Sequence, residues 1–231
     1  MGKPARRKPV ILGIIPARKG SKRLSNKNIR FLLGRPLIAY TIRAALKSRL
    51  LDKVIVSTDD RKIAKIARSY GAEVPFIRPK YLAEDDTPMV PVLKHAVRWV
   101  EKSWRRRVAM VVLLQPTSPL RSDQDIDRCI RMILRAGADS LVTVCKAKEG
   151  CRRSLLRRLK GDSLLSYRQP KGKPCKLNGA FYAVKRDILI KRSVIYGKDT
   201  RAVVMASDRS VDIDRESDLA AAEIFLRKKK R

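Results

Sequence analysis

Five cations, Arg18, Lys19, Lys22, Arg23 and Lys27, crowd into the segment PARKGSKRLSNKN (16–28), directly after the apolar run VILGII (10–15). Gly20 and Ser21 stand among them. Glycine lets a backbone approach an anion closely and the cations neutralise it, so the composition suits phosphate binding. The spacing is neither that of a Walker A loop nor G-x-G-x-x-G, and neither mechanism transfers. A solvated basic loop has the same composition, which alone does not choose between them.

A second group of residues is acidic. Asp212 and Asp214 stand at i and i+2, so on an extended segment both side chains share a face and Ile213 takes the other. Adjacent carboxylates repel and raise each other's pKa unless a cation sits beside them. Magnesium commonly takes one or two carboxylates together with phosphate oxygens and water. The competing reading is an acidic turn at the start of the last helix. Gln115 follows the most apolar run, VAMVVLL (108–114), and offers a neutral amide either to sugar hydroxyls or to the turn before Pro116. Arg78 sits two residues after Phe76 in FIRPKYLAEDDTP (76–88), within reach of Asp85 and Asp86 for a weak surface pair.

Some chemistry is poorly supported. His95 is the lone histidine and lies in a helical pattern, so no Ser/His/Asp or Cys/His arrangement follows. Cys129, Cys145, Cys151 and Cys175 contain no C-x-x-C pair, which argues against zinc and for reduced, structural thiols.

The elements that must position these residues alternate. Apolar runs at 10–15, 53–57, 108–114, 140–144, 179–184 and 202–206 read as strands. Helical periodicity occupies 36–48, 60–71, 91–103, 123–137 and 216–227, and residues 73–77 read as extended. Continuous apolar strands alternating with helices predict an α/β fold, a mostly parallel sheet covered on both faces. In such sheets ligands sit beyond the carboxyl ends of the strands, where the 16–28 loop and Gln115 fall. The 231 residues suit a single domain, with the basic, loop-rich stretch 145–178 as an insertion, a lid or an oligomer contact.

The longest apolar run has seven residues, far short of a membrane span, and the basic N-terminus MGKPARRKPV has no apolar signal core. A soluble cytoplasmic protein is the expectation. The 55 Lys and Arg against 22 Asp and Glu give +33. Setting aside the nine cations at the two ends leaves +24 on the body, so the excess is not confined to tails. Such a field attracts anionic small molecules and polyanions alike.

The motif IIPARKGSKRLSNKNI (14–29) resembles the first motif of the acylneuraminate cytidylyltransferases. GRPLIAYTI (34–42), VIVSTDD (54–60), FIRPKYLAEDDTP (76–88), LLQPTSPLR (113–121), NGAFY (178–182) and VDIDRESDL (211–219) follow in that family's order. The related 3-deoxy-manno-octulosonate enzymes carry a different first loop. The resemblance implies a Rossmann-like, three-layer nucleotidyltransferase fold whose small insertion serves dimerisation and sugar binding. It also implies transfer from CTP to a 2-keto acid sugar in a magnesium- or manganese-dependent homodimer, with no specific nucleic-acid partner.

By that resemblance Arg18, Ser21, Lys22, Lys27 and Asn28 cradle the nucleotide, with Arg18 and Lys22 catalytic. Arg78 and Ala83 meet the base, and Asp212 and Asp214 hold the metal, Asp212 being catalytic as well. Gln115, Arg168 and Arg153 (or Arg152) serve the sugar, Arg168 by its place ten residues before Asn178. Tyr182 packs on the sugar or is an ordinary strand aromatic. KAKEGCRR (146–153) and PKGKPCKL (170–177) depart from the family pattern where the sugar would bind, which leaves the sugar open. Two competitors stand: the same chemistry with GTP, or with legionaminic or pseudaminic acid, and a non-catalytic polyanion-binding protein favoured by the Arg105–Arg107 run and the RKKKR tail.

Overall fold

Strand β1 (Val10–Pro16) carries no polar side chain, so both of its faces need cover. Val10, Leu12 and Ile14 pack with buried residues of α3 (Met89–Trp104) and α5 (Arg186–Arg192). Ile15 turns the other way, towards α1 (Leu37–Lys47), α2 (Arg61–Ser69) and α4 (Asp123–Ala136). β4 (Lys53–Ser57) and β5 (Val108–Leu113) divide their residues in the same way. The result is three layers, helices over a sheet over helices. The structure is a computed structural model that describes residues 8–20, 23–147, 156–166 and 172–228. No helix among the described residues is long and apolar enough to cross a membrane.

The remaining strands of the sheet are β6 (Ser140–Lys146), β7 (Leu156–Lys160), β8 (Ser163–Ser166), β9 (Lys173–Lys185) and β10 (Thr200–Val204). A short hairpin, β2 (Phe31–Leu32) with β3 (Arg35–Pro36), leads into α1. The eight-stranded order is β4-β1-β5-β9-β6-β10-β8-β7, and β7 pairs again with β9. That second pairing closes β9, β6, β10, β8 and β7 into a barrel-like ring.

The sheet is mixed, which corrects the expectation of a mostly parallel one. β1 pairs parallel with β4 and β5, and β6 with β10. β9 enters antiparallel between β5 and β6. The reason is that a continuous apolar run reports burial on both faces and carries no information about direction. The stretch read as loop-rich also holds strands: β7, β8 and the first residues of β9 lie inside it. β7 and the start of β9 interleave basic residues with apolar ones and β8 is only four residues long and half-buried, so the continuous apolar run of a buried strand is missing.

Candidate active site

The carboxyl ends of β1, β4 and β5 open on one side of the sheet, and a cleft of about 530 Å³ lies there. Arg18, Lys27, Asn28, Arg78, Gln115 and Asp214 line it together. They come from four segments of chain far apart in sequence.

The first loop is fixed by its own polar groups. Asn28, buried in a 3-10 turn (Lys27–Ile29), donates from Nδ2 to the carbonyl of Arg18 at 2.9 Å. The backbone N–H of Lys19 donates to Asp59 Oδ1 at 3.0 Å. Arg18 is left facing the cleft and pairs with Asp85. Across the cleft Lys27 Nζ donates to Asp214 Oδ1 at 2.9 Å, and Arg23 Nη1 to Oδ2 at 2.8 Å. Burial alone would push the Asp214 carboxyl up, but the hydrogen bond and charge of Lys27, with Arg23, hold it below the ordinary carboxylate range.

Arg78 is 4% exposed and bonds from Nε to Ser57 Oγ at 3.0 Å and from Nη1 to the Leu82 carbonyl at 3.4 Å. Its third bond, from Nη2, is to the Ser57 carbonyl. It is a fixed buried cation and not a surface partner of Asp85 or Asp86. Burial lowers its pKa to about 10, so it stays charged at neutral pH. Ala83 stands half-buried at the end of the next 3-10 turn (Lys80–Leu82), beside this arginine and off the cleft lining.

Ile213 is fully buried and donates its N–H to the Thr117 carbonyl at 2.9 Å, joining the acidic segment to the loop after β5. Asp218 accepts from the N–H groups of Asp214 and Arg215 at 2.9 and 2.8 Å and sets the start of α6 (Glu216–Lys228). Asp214 faces the main cleft. Asp212 opens onto an adjoining depression shared with Lys146 and Lys176. Protein crowding, opposed by a Thr117 hydrogen bond and reinforced by Asp214, raises the Asp212 carboxyl. By its accessible area Asp212 is nevertheless exposed, and solvent screens much of the effect.

β9 bulges where it passes these carboxylates. Val142 pairs with Tyr182 and Val144 with Leu177, so residues 178–181 oppose Thr143 alone. Side chains satisfy the displaced backbone. Asn178 Oδ1 accepts from Ala180 N at 3.2 Å, Thr143 Oγ1 accepts from Phe181 N at 3.0 Å, and the Ala180 carbonyl accepts from Arg121 Nη1 at 2.6 Å. Asn178 Nδ2 donates to Ser210 Oγ at 2.9 Å, tying the bulge to the segment that carries Asp212. Gly179 has φ +77, and a Cβ there would meet Gln115 Oε1 at 2.7 Å and the Asp212 carboxyl carbon at 3.7 Å. Tyr182 is half-buried beside them, its hydroxyl pKa raised first by burial, then by Tyr196 and Asp212.

Ser21, Lys22, Arg153 and Arg168 fall outside the described residues. His95 lies on α3 and packs edge-on to Phe76, with ring centroids 4.7 Å apart. Burial lowers its pKa, and it does not line the cleft. Sequence reasoning missed the roles of Arg23, Thr117, Gly179 and Arg121. Arg23 was one cation among five; the other three lay inside quoted motifs, where only contacts between motifs distinguish them. The two carboxylates are oxygen donors of the kind a divalent ion takes together with phosphate and water, and the cations beside them suit the phosphate itself. The described residues contain no cluster of three or more metal-ligating side chains.

The profile of the cytidylyltransferase family matches residues 12–220. The chain is 33% identical to the post-translational flagellin modification protein B of Campylobacter coli, covering 95% of this chain and 96% of that one. It is 35% identical to the CMP-N,N'-diacetyllegionaminic acid synthase of Legionella pneumophila, over 94% and 96%. It is 34% identical to the N-acylneuraminate cytidylyltransferase of Escherichia coli, over 96% of this chain and 53% of that protein. In fold it is similar to a CMP:2-keto-3-deoxy-manno-octonic acid synthetase complexed with CTP, with a TM-score of 0.74 and 18% identity over 96% and 100% of the two chains.

Proposed function

We propose, since the chain belongs to the cytidylyltransferase family, that it transfers the cytidylyl group of CTP to the anomeric hydroxyl of a nonulosonic acid and releases pyrophosphate. The observation that carries this reading is the meeting of the first-loop cations with Asp214 in a cleft that Gln115 and Arg78 also line. In the reaction the sugar oxygen forms a bond to the α-phosphorus, and the bond from that phosphorus to the bridging oxygen of pyrophosphate breaks. Charge accumulates on the leaving group, so alignment and cations do most of the work.

Arg18, Arg23 and Lys27 face the triphosphate, and Asn28 keeps the loop that carries them in place. Arg78 presents a rigid edge to the base. Gln115 and Tyr182 border the sugar beside the β9 bulge. Asp212, on the segment joined to the loop after β5, accepts the proton of the attacking hydroxyl. Asp212 and Asp214 are the residues that would hold Mg²⁺ or Mn²⁺, and the ion when bound neutralises phosphate charge. Ser21, Lys22, Arg153 and Arg168 keep the roles the family resemblance gives them, and a homodimer places one subunit's 145–178 segment over the other's sugar. Relatives named for legionaminic, pseudaminic and acylneuraminic acids make these three sugars the first to test.

The test is incubation with CTP, Mg²⁺ and each of the three acids, with mass spectrometry for the CMP-sugar. One CMP-sugar formed in preference to the others supports the reading; hydrolysis of CTP without sugar transfer contradicts it.

A further inference from the structure

Arg121 is 3% exposed and lies one layer beneath the cleft, at the end of the loop that begins with Gln115. Its Nη1 donates to the Ala180 carbonyl at 2.6 Å and to the Gln115 carbonyl at 3.3 Å, and its Nη2 to Thr41 Oγ1 at 2.7 Å. Thr41, on α1 and itself buried, donates on to the Gln115 carbonyl at 3.4 Å. One guanidinium thus holds a helix, the loop after β5 and the bulge of β9 together. Among the described residues its partners are neutral oxygens. The neighbouring carboxylate, Asp125, is taken by Ser122 and by Arg209.

Burying a cation against neutral acceptors is costly, and a purely structural joint is made at lower cost by apolar groups. Here the joint sits between the two groups whose separation is least tolerant. Gln115 Oε1 lies 2.7 Å from where a Cβ on Gly179 would be, so a small shift of loop against bulge closes or opens the space beside Asp212. The planar fork of arginine spans two directions at once, which a single ammonium does not.

We propose that Arg121 is a positioning residue for the acceptor sugar: it sets Gln115 against the Gly179 bulge and leaves the nucleotide side of the cleft to other residues. This rests on the reading of the cleft given above. Among the described residues the hydrogen bonds of Arg121 go to Gln115, Ala180 and Thr41 and not to the first loop, and Arg78 is anchored separately on Ser57 and Leu82.

The experiment compares wild type with Arg121→Lys, Arg121→Met and Thr41→Val by three readouts: thermal midpoint, CTP affinity by calorimetry, and kcat/KM for the preferred sugar at saturating CTP. The two Arg121 variants should lose about tenfold to a hundredfold in kcat/KM for the sugar, with CTP affinity within about threefold of wild type. Lysine should fail to rescue, because it keeps the charge without the fork. Thr41→Val removes one leg at nearly constant shape and should lose about threefold to tenfold on the sugar side alone. It keeps the test decisive if Arg121→Met does not fold. Equal losses for CTP and sugar, no loss for either, or full activity in Arg121→Lys would overturn the proposal. An inactive wild type would instead overturn the reading of the cleft.

Discussion

Lys27 and Asp214, 187 residues apart in the chain, meet at 2.9 Å across the mouth of the cleft. Arg23 reaches the other oxygen of the same carboxylate at 2.8 Å. The first loop and the last segment before α6 are therefore closed on each other through charges that a triphosphate would also engage. Lys27→Met should raise the CTP concentration needed for half-maximal rate by about tenfold to a hundredfold, since hydrogen bonds to charged groups are worth about 1.5–3 kcal/mol. The sugar's KM at saturating CTP should change far less. Initial-rate kinetics with each substrate varied in turn checks this.

Asp212 and Asp214 should respond oppositely to acid. The Asp212 carboxyl is raised in the fold, so its ionised form opposes folding above the unfolded value. Asp212→Asn should abolish turnover yet leave the thermal midpoint at neutral pH unchanged or slightly higher. That difference from wild type should vanish as pH falls and Asp212 takes up its proton. Asp214 is held low, so its contribution to stability is present above the unfolded value and lost as pH falls through the folded one. Asp214→Asn should therefore destabilise slightly at neutral pH and be neutral in acid. Midpoints measured from pH 7.5 down to pH 3 separate the two patterns.

Gly179→Ala places a methyl against Gln115 Oε1 and in a left-handed backbone. The strain of about 1–2 kcal/mol should lower the thermal midpoint by a few degrees. Displacement of Gln115 should lower kcat/KM for the sugar by about a hundredfold. Gln115→Ala should match the kinetic loss without the stability loss. The double variant should be little worse than either, as expected of residues acting through one contact.

How much of this was legible in the sequence depends on what each signal measures. The apolar runs of β1, β4 and β5 mark two-sided burial and locate the carboxyl edge, because consecutive apolar residues need cover on both faces. β9 is legible in half its length: GAFYAV is apolar and reads as a strand, while KPCKL, the same strand's first residues, alternates with lysine and does not. Its antiparallel direction has no sequence signature at all. The basic loop and the Asp212–Asp214 pair announced themselves by composition, and the structure adds that Lys27 and Arg23 join them. Arg121 was hidden inside a quoted motif, since nothing in a linear pattern distinguishes an arginine buried beneath a site from one that faces it.

The net charge of +33 invites nucleic acid, and that binding should be electrostatic. Retention of duplex DNA should fall steeply as salt rises from about 50 to 200 mM, with a linear dependence of log affinity on log salt. Affinity that survives high salt would favour the polyanion-binding reading. Titration of a labelled duplex at several salt concentrations decides.

The most direct measurement is pyrophosphate release by the purified full chain with Mg²⁺, comparing CTP with GTP on each nonulosonic acid, beside folded Asp212→Asn. Release that needs CTP and a sugar together, and disappears in the variant and on chelation of the metal, is the predicted result. Folded wild-type protein that releases no pyrophosphate with any pair, or does so equally well in Asp212→Asn, would contradict the account.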